Sequence, residues 1–291
     1  MRGEAVARGR DYLGAYRRLR IIRAGATCQV WEAIHDGDSR RVAIKLPQPE
    51  HISNKEEIEF LRHEFEVAQN FKHTNVIEVY EFNIDKGTPY LVMELSTAKN
   101  LKIVMRQGLE PMIPLIPKII EQAAAGLQYM HEQNWVHRDI KPDNFLVSDE
   151  GDVKLIDFAI AQRPATGLAK GLAMLFGKRG AVQGTRSYMS PEQIRNDPLD
   201  CRADIYSFGC LLFELVTGKL PYTGLNADDL LAKHLRAPVP QPLVANNQLT
   251  NEFAGLLTRM MAKNRDDRPK SMEDFLKMFR TMRVFKVKLK S

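Results

Sequence analysis

Cysteine is scarce in this 291-residue chain: Cys28, Cys201 and Cys210 are all there is. None sits at a spacing that closes a metal site or a redox pair. A disulfide-stapled fold is thereby excluded, and such thiol usage suits a reducing compartment, so the expected location is cytoplasmic. Long apolar runs are also missing. No window approaches the ~18 uninterrupted apolar residues of a membrane span, so an integral membrane protein is not expected. The opening M-R-G-E-A-V-A-R has no apolar core, so no secretory signal is expected either. Internal repeats, zinc spacings and basic stretches interleaved with aromatics are absent, which argues against a specific nucleic-acid partner. What is present is ordinary for a globular chain. With 44% hydrophobic and 27% charged residues, it can bury a core in two compact units or one bilobal one.

The charge balance is 42 Lys and Arg against 36 Asp and Glu, a net +6. Much of the excess crowds the ends: Arg2, Arg8, Arg10, Arg17, Arg18, Arg20 and Arg23 at the start, Lys286, Lys288 and Lys290 at the finish. We read residues 1–15 as a solvated basic arm and 284–291 as a basic tail. In between, strand-like runs cover 19–22, 29–34 and 41–45, with a D-G-D-S turn before the last. A helical pattern over 55–71 places Ile58, Leu61, Phe65, Ala68 and Phe71 on one face. Two more strands, 76–83 and 90–94, flank the turn D-K-G-T. Helical periodicity then dominates, over 117–133, 203–217, 226–235 and 251–261. The fold class is α+β: a small five-stranded lobe with one main helix over 16–95, then a larger, mostly helical lobe over 96–283.

Residues 137–144 read H-R-D-I-K-P-D-N, which resembles the catalytic loop of eukaryotic-type protein kinases. Other parts follow in the same order. V-A-I-K at 42–45 resembles the third-strand lysine motif, Glu64 lies on the next helix, and D-F-A at 157–159 stands where D-F-G is expected. S-P-E at 190–192, D-I-Y-S-F-G at 204–209 and Arg268 match large-lobe signatures. The resemblance covers 16–283, a bilobal kinase fold, and the stretch from Gly184 to Gln193 looks most like bacterial members.

The resemblance implies ATP and Mg²⁺ as cofactors and assigns roles. Asp139 would be the catalytic base and Lys141 would steady the transferring phosphoryl. Lys45 would hold the α- and β-phosphates, itself fixed by Glu64. An inward-facing Glu64 without a partner would be costly, which supports that pairing. Asn144 and Asp157 would be the metal ligands, both offering hard oxygens. Ile22, Val30, Ala43 and Leu146 would sandwich the adenine, Gly25 would lie over the phosphates, Met93 would be the gatekeeper, and Glu94 and Leu95 would supply hinge backbone groups. Arg138 would recruit a loop phosphate. Thr185 would bond to Asp139 and Lys141, marking Ser/Thr specificity. Glu192 and Arg268 would form a buried ion pair, and Asp204 would accept N–H bonds from around His137 and Arg138.

Three features depart from the pattern. The phosphate loop, R-A-G-A-T-C at 23–28, keeps only its middle glycine, and side chains at Arg23 and Cys28 hinder backbone approach to phosphate. Ala159 replaces a glycine, at a cost of about 1–2 kcal/mol if its backbone must be left-handed. Between Ile160 and Gly184 the only hydroxyl is Thr166, while Leu168, Leu172, Leu175 and Phe176 recur at helical spacing. This predicts a short inhibitory helix over 167–180 docked on the cleft or the Glu64 helix; the alternative is a mobile loop. The expected function is a Mg·ATP-dependent serine/threonine kinase acting on proteins. The alternative is a pseudokinase, a nucleotide-binding scaffold with little phosphotransfer. A small-molecule kinase is opposed by the intact S-P-E motif. The alternating tail from Val284 reads first as a frayed terminus, with a strand as the alternative, for a sheet edge of its own chain or for self-association.

Overall fold

The computed structural model describes residues 12–164 and 185–286, and of Thr185 the backbone only. The helix expected over 167–180 lies outside the described residues. The chain divides into two compact units. One takes in Met1–His73, Ile77–Thr97 and Asp157–Ala159; the other Thr74–Val76, Ala98–Ile156 and Ile160–Ser291.

The first unit is an antiparallel sheet backed by a helix. Its strands are β1 Tyr12–Leu13, β2 Tyr16–Ala24, β3 Cys28–His35, β4 Arg41–Pro47, β5 Val79–Asp85 and β6 Thr88–Glu94, in the order β1-β2-β3-β4-β6-β5. The expected five strands are joined by a sixth, the short β1, which begins ahead of the boundary at residue 16. Leu13 is buried there against a core that includes Tyr16, Ile44, Tyr90 and Val92. The β5–β6 hairpin turns through Lys86 (φ 49) and Gly87 (φ 81). Both are left-handed, as a two-residue turn matching strand twist requires.

Helix α1, Lys55–Ala68, starts at Asn54, whose side chain accepts the Glu56 N–H. Its buried face is Glu57, Phe60, Leu61, Glu64, Val67 and Ala68. The sequence placed Ile58 and Phe65 on that face, but the structure leaves them half-buried at its edge. Phe71 lies past the helix end yet is buried. The expected face is rotated because Glu57 also turns inward, at a position that hydrophobicity assigns to solvent, while Glu64 faces inward as expected.

The second unit is helical around one central element. Helix α2 is Leu101–Met105, preceded by β7 Lys99–Asn100, and α3 is Ile116–Glu132. Strands β8 Phe145–Val147 and β9 Val153–Leu155 complete a small sheet with β7. Then come α4 Pro191–Arg195, α5 Cys201–Thr217, α6 Ala227–Arg236, α7 Pro242–Ala245, α8 Asn251–Met260 and α9 Met272–Phe279. Every residue of α5 from Ala203 to Val216 is buried, as befits a helix packed on all sides. It begins at the Asp200 cap and ends at left-handed Gly218. On α3, Gly126 permits a close approach: a Cβ there would lie 2.6 Å from the Asn75 carbonyl oxygen. Asn75 in turn donates to Gln122 and to the Val153 carbonyl, tying the approach segment to α3 and β9.

Two buried polar groups stiffen this unit. Arg268 spends all five of its N–H donors: two on Glu192 (2.6 and 3.0 Å) and one each on the carbonyls of Ala262, Arg202 and Lys263. His234 on α6 is fully buried and meets the Tyr206 hydroxyl at 3.0 Å. The described start of the C-terminal tail pairs within its own chain, Phe285 bridging Leu249 in antiparallel sense. Residues 287–291 lie outside the described residues.

Arg268→Leu strands Glu192 as a lone buried charge and is expected to cost about 3–5 kcal/mol, read as a lowered urea midpoint, with Glu192→Leu in the same chain recovering part of the loss. A second expectation concerns pH. Burial first, and then the Lys263 ammonium, push the His234 imidazole down to about 4. Unfolded histidine titrates near 6.5, so the unfolded chain takes up this proton first. The contribution is whole above about pH 6.5 and drains away towards pH 4, at up to about 1.4 kcal/mol per pH unit. His234→Gln should flatten that slope in acid unfolding curves.

Candidate active site

The first unit gathers a buried cation and two carboxylates. Lys45, inside β4, donates from Nζ to Glu64 Oε2 at 2.7 Å and to Asp157 Oδ1 at 3.1 Å. Glu64 reaches it from the buried face of α1, and its other oxygen accepts the Phe158 N–H at 3.3 Å. Burial by itself pulls the Lys45 ammonium down, but the Asp157 and Glu64 charges outweigh it and hold the amine above its ordinary range. Burial pushes the Glu64 carboxyl up, against the pull of Lys45. Asp157 adopts φ 70, so the left-handed residue of the D-F-A motif is its aspartate. Ala159 is not left-handed, and the strain expected there does not arise. Phe158 is fully buried, edge-on to Phe71.

Around this group the sheet arranges the apolar candidates in register. Val30 lies opposite Lys45, and Ala43 opposite Met93. Ile22 falls in an irregular step of β2 and remains 38% exposed. Leu95 follows β6 and is half-buried. The Glu94 amide donates to the Glu78 carbonyl at 2.8 Å, which leaves its carbonyl as the hinge group it can offer.

The loop at 23–28 is a closed hairpin tip. Gly25 N–H donates to the Cys28 carbonyl at 2.8 Å. Gln48 ties the tip to the end of β4: its side chain donates to the Gly25 carbonyl at 2.9 Å and its N–H to the Thr27 carbonyl at 2.7 Å. Cys28 Sγ meets Glu57 Oε2 at 3.7 Å. Neither Gln48 nor Glu57 stood out in the sequence. The signal for Glu57 was its i, i+7 spacing to Glu64.

The second unit assembles the catalytic-loop candidates. Asp204 on α5 accepts the N–H of His137 (2.8 Å) and Arg138 (2.9 Å), and its Oδ2 meets His131 Nε2 at 2.8 Å. His131 was missed; one histidine at the end of a helix carries no local signal. Arg138 is left-handed (φ 71) and donates to the Ile160 carbonyl. Burial lowers the pKa of its guanidinium, with Asp204 and Asp139 opposing. Gln193 donates to the Arg138 carbonyl at 2.7 Å, joining α4 to this loop.

Asp139 Oδ2 receives Lys141 Nζ at 2.7 Å and Asn144 Nδ2 at 3.0 Å. The remaining oxygens, Asp139 Oδ1 and Asn144 Oδ1, are out of water and have no hydrogen-bond partner among the described residues. Buried acceptors of this kind are rare unless something else occupies them. Leu146 lies on β8, half-buried. Thr185 opens the turn Thr185–Tyr188, and its side chain lies outside the described residues.

No group of three or more His, Cys, Asp or Glu clusters as a metal cage among the described residues. The hard side-chain oxygen of Asn144 in the second unit nevertheless fits an ion such as Mg²⁺, which takes one or two protein ligands and completes its shell with water and phosphate; the Asp157 carboxylate offers the same chemistry in the first unit. The orphaned Asn144 Oδ1 is the observation that favours the fit.

The model of the protein kinase domain matches residues 16–279. The chain belongs to the protein kinase domain family. Among curated kinases, it is 32% identical over 271 residues to the serine/threonine-protein kinase PrkC of Bacillus subtilis, covering 91% of this chain and 40% of that protein. It is 32% identical over 249 residues to PknL of Mycobacterium tuberculosis, covering 85% and 60%. To PknH of Mycobacterium bovis it is 33% identical over 261 residues, covering 90% and 43%. The chain thus spans 40% to 60% of the length of these relatives. No helix among the described residues is long and apolar enough to cross a membrane.

The closed loop of this kinase domain has a chemical consequence. Burial, with Glu57 adding to it against the Lys45 charge, pushes the Cys28 thiol up to about 11. Alkylation of Cys28 by iodoacetamide near pH 8 is expected to run about a hundredfold slower than for the unfolded chain, in proportion to thiolate. Peptide mapping of a timed reaction checks it.

Proposed function

We propose that this chain is a serine/threonine protein kinase that transfers the γ-phosphoryl group of Mg·ATP to Ser and Thr hydroxyls of proteins. The observation that carries the reading is Asp139: one carboxylate oxygen is held by Lys141 and Asn144, while the other is buried with no partner among the described residues. A fixed acceptor of that kind suits a substrate hydroxyl. In this reading the hydroxyl oxygen attacks the γ-phosphorus, its proton passes to Asp139 Oδ1, and ADP departs with the electron pair of the broken P–O bond. Lys141 stands beside Asp139 to balance charge on the phosphoryl oxygens. Lys45 remains cationic between Glu64 and Asp157 and holds the α- and β-phosphates.

Asn144 is the candidate Mg²⁺ ligand of the second unit and Asp157 that of the first; Mg²⁺ when bound neutralises phosphate charge. Ile22, Val30, Ala43 and Met93 of the first unit would take the adenine, with Glu94 and Leu95 offering carbonyls; Leu146 is an apolar candidate of the second unit. The exposure of Ile22 is what an apolar side chain kept for a ligand would show. Arg138, Thr185, Glu192, Asp204 and Arg268 would brace the loop and the substrate segment. We take 16–283 as the catalytic region, proteins as substrates and the cytoplasm as its place of action. The pseudokinase alternative rested on Arg23, Cys28 and Ala159, and the backbone at Ala159 no longer supports it.

Incubation with radiolabelled ATP, Mg²⁺ and a generic basic protein tests the proposal. The wild-type chain should transfer label to Ser and Thr, and Asp139→Asn should lower the rate by at least about a hundredfold. Folded wild-type protein that transfers nothing would return the pseudokinase reading to first place.

A further inference from the structure

The chain that follows the D-F-A motif runs antiparallel to the backbone that leads into Asp139, and three rungs join them. Arg138 Nη1 donates to the Ile160 carbonyl at 3.2 Å. Val136 and Gln162 exchange both backbone bonds, at 2.8 and 2.9 Å. The third rung, like the first, is made by an arginine side chain. Arg163 Nη1 donates to the carbonyls of Gln133 (2.6 Å) and Asn134 (3.1 Å), and its guanidinium carbon lies 4.0 Å from the centroid of the Trp135 ring.

The local chemistry explains why an arginine fits here. Helix α3 ends at Glu132, and the chain reverses through Asn134 at φ 60, with Trp135 N–H returning to the Met130 carbonyl at 3.1 Å. That closure leaves the Gln133 and Asn134 carbonyls pointing outward at the negative end of the helix, where a cation is favoured. A planar guanidinium can bond both carbonyls edge-on while its face rests on indole; an ammonium cannot do both.

The consequence concerns Asp139. Asp204 fixes the N–H groups of His137 and Arg138, and Gln162 fixes Val136, whereas residues 133–135 are fastened to the 160–163 strand through Arg163. We propose that Arg163 is a positioning residue for phosphotransfer, strapping the segment after the D-F-A motif to the backbone that delivers Asp139. The proposal rests on the phosphotransfer reading above and adds a residue that the sequence motifs do not contain. Because Arg163 is exposed, its truncation leaves no cavity, and a catalytic effect is separable from unfolding.

The full chain is assayed with Mg·ATP and a peptide substrate as wild type, Arg163→Ala, Arg163→Lys and Arg163→Gln, with thermal melting as the check on folding. Trp135 emission is followed in a Trp31→Phe background, which leaves it the only tryptophan of two. Arg163→Ala is expected to lower kcat about tenfold while both KM values move less than about twofold, the pattern of a displaced catalytic group. Its Trp135 emission should shift to longer wavelength as the ring face opens to water, and Arg163→Lys should recover part of kcat. Unchanged emission in Arg163→Ala overturns the contact; shifted emission with full kcat overturns the positioning role. Should alanine unfold the chain, full kcat in folded Arg163→Gln overturns it equally. An inactive wild type sinks the phosphotransfer reading and this proposal together, and is told apart by the wild type itself failing.

Discussion

Asp204 carries a carboxylate into a place with no water, at the start of the most buried helix of the second unit. Burial alone would push its carboxyl up, yet the His131 contact, the His137 charge and the His137 N–H outweigh it and hold it below the usual carboxylate range. A charge so placed must be satisfied, and it is satisfied by the consecutive amides of His137 and Arg138. These bonds fix two peptide planes directly before Asp139. The left-handed turn at Arg138, a conformation that costs about 1–3 kcal/mol in a residue with a Cβ, is tolerable only in so fixed a setting. Catalytic-loop geometry is thus held from the core outward.

The same physics recurs in the first unit with the sign reversed. There the group removed from water is an ammonium, and two carboxylates from distant parts of the chain converge on it: Glu64 from α1, Asp157 from the segment that joins this unit from far along the chain. Asp157 takes its left-handed backbone angle at the point where its carboxylate meets Lys45. Strain and charge pairing therefore coincide at both groups of chemistry-bearing residues. Rigid elements present each group, so little reorganisation remains when charge develops during a reaction.

Much of the fold was legible because its elements are locally consistent. The D-K-G-T turn, the long apolar faces of α3 and α5 and the strand alternation around Lys45 all agree with the observed elements to within a few residues. Where the reading slipped, a tertiary partner was the cause. Helix α1 is rotated from its apolar phase because Glu57, besides the expected Glu64, turns inward and meets Cys28. The loop at 23–28 looked like a weakened phosphate cradle, but Gln48, twenty or so positions on, closes it. His131 and Arg163 escaped notice because their partners, Asp204 and the end of α3, are remote in sequence.

The division has a physical reason. Sequence by itself determined which residues can carry a charge or a proton, and in which order the family motifs H-R-D, D-F-A and S-P-E follow one another; these depend on covalent identity and short-range periodicity. Only the tertiary structure decided which charges share a low-dielectric neighbourhood. Burial sets the pairing of Lys45 with two carboxylates, the five-bond anchoring of Arg268 and the hold of Lys141 and Asn144 on one oxygen of Asp139, and burial is a property of the packed chain as a whole.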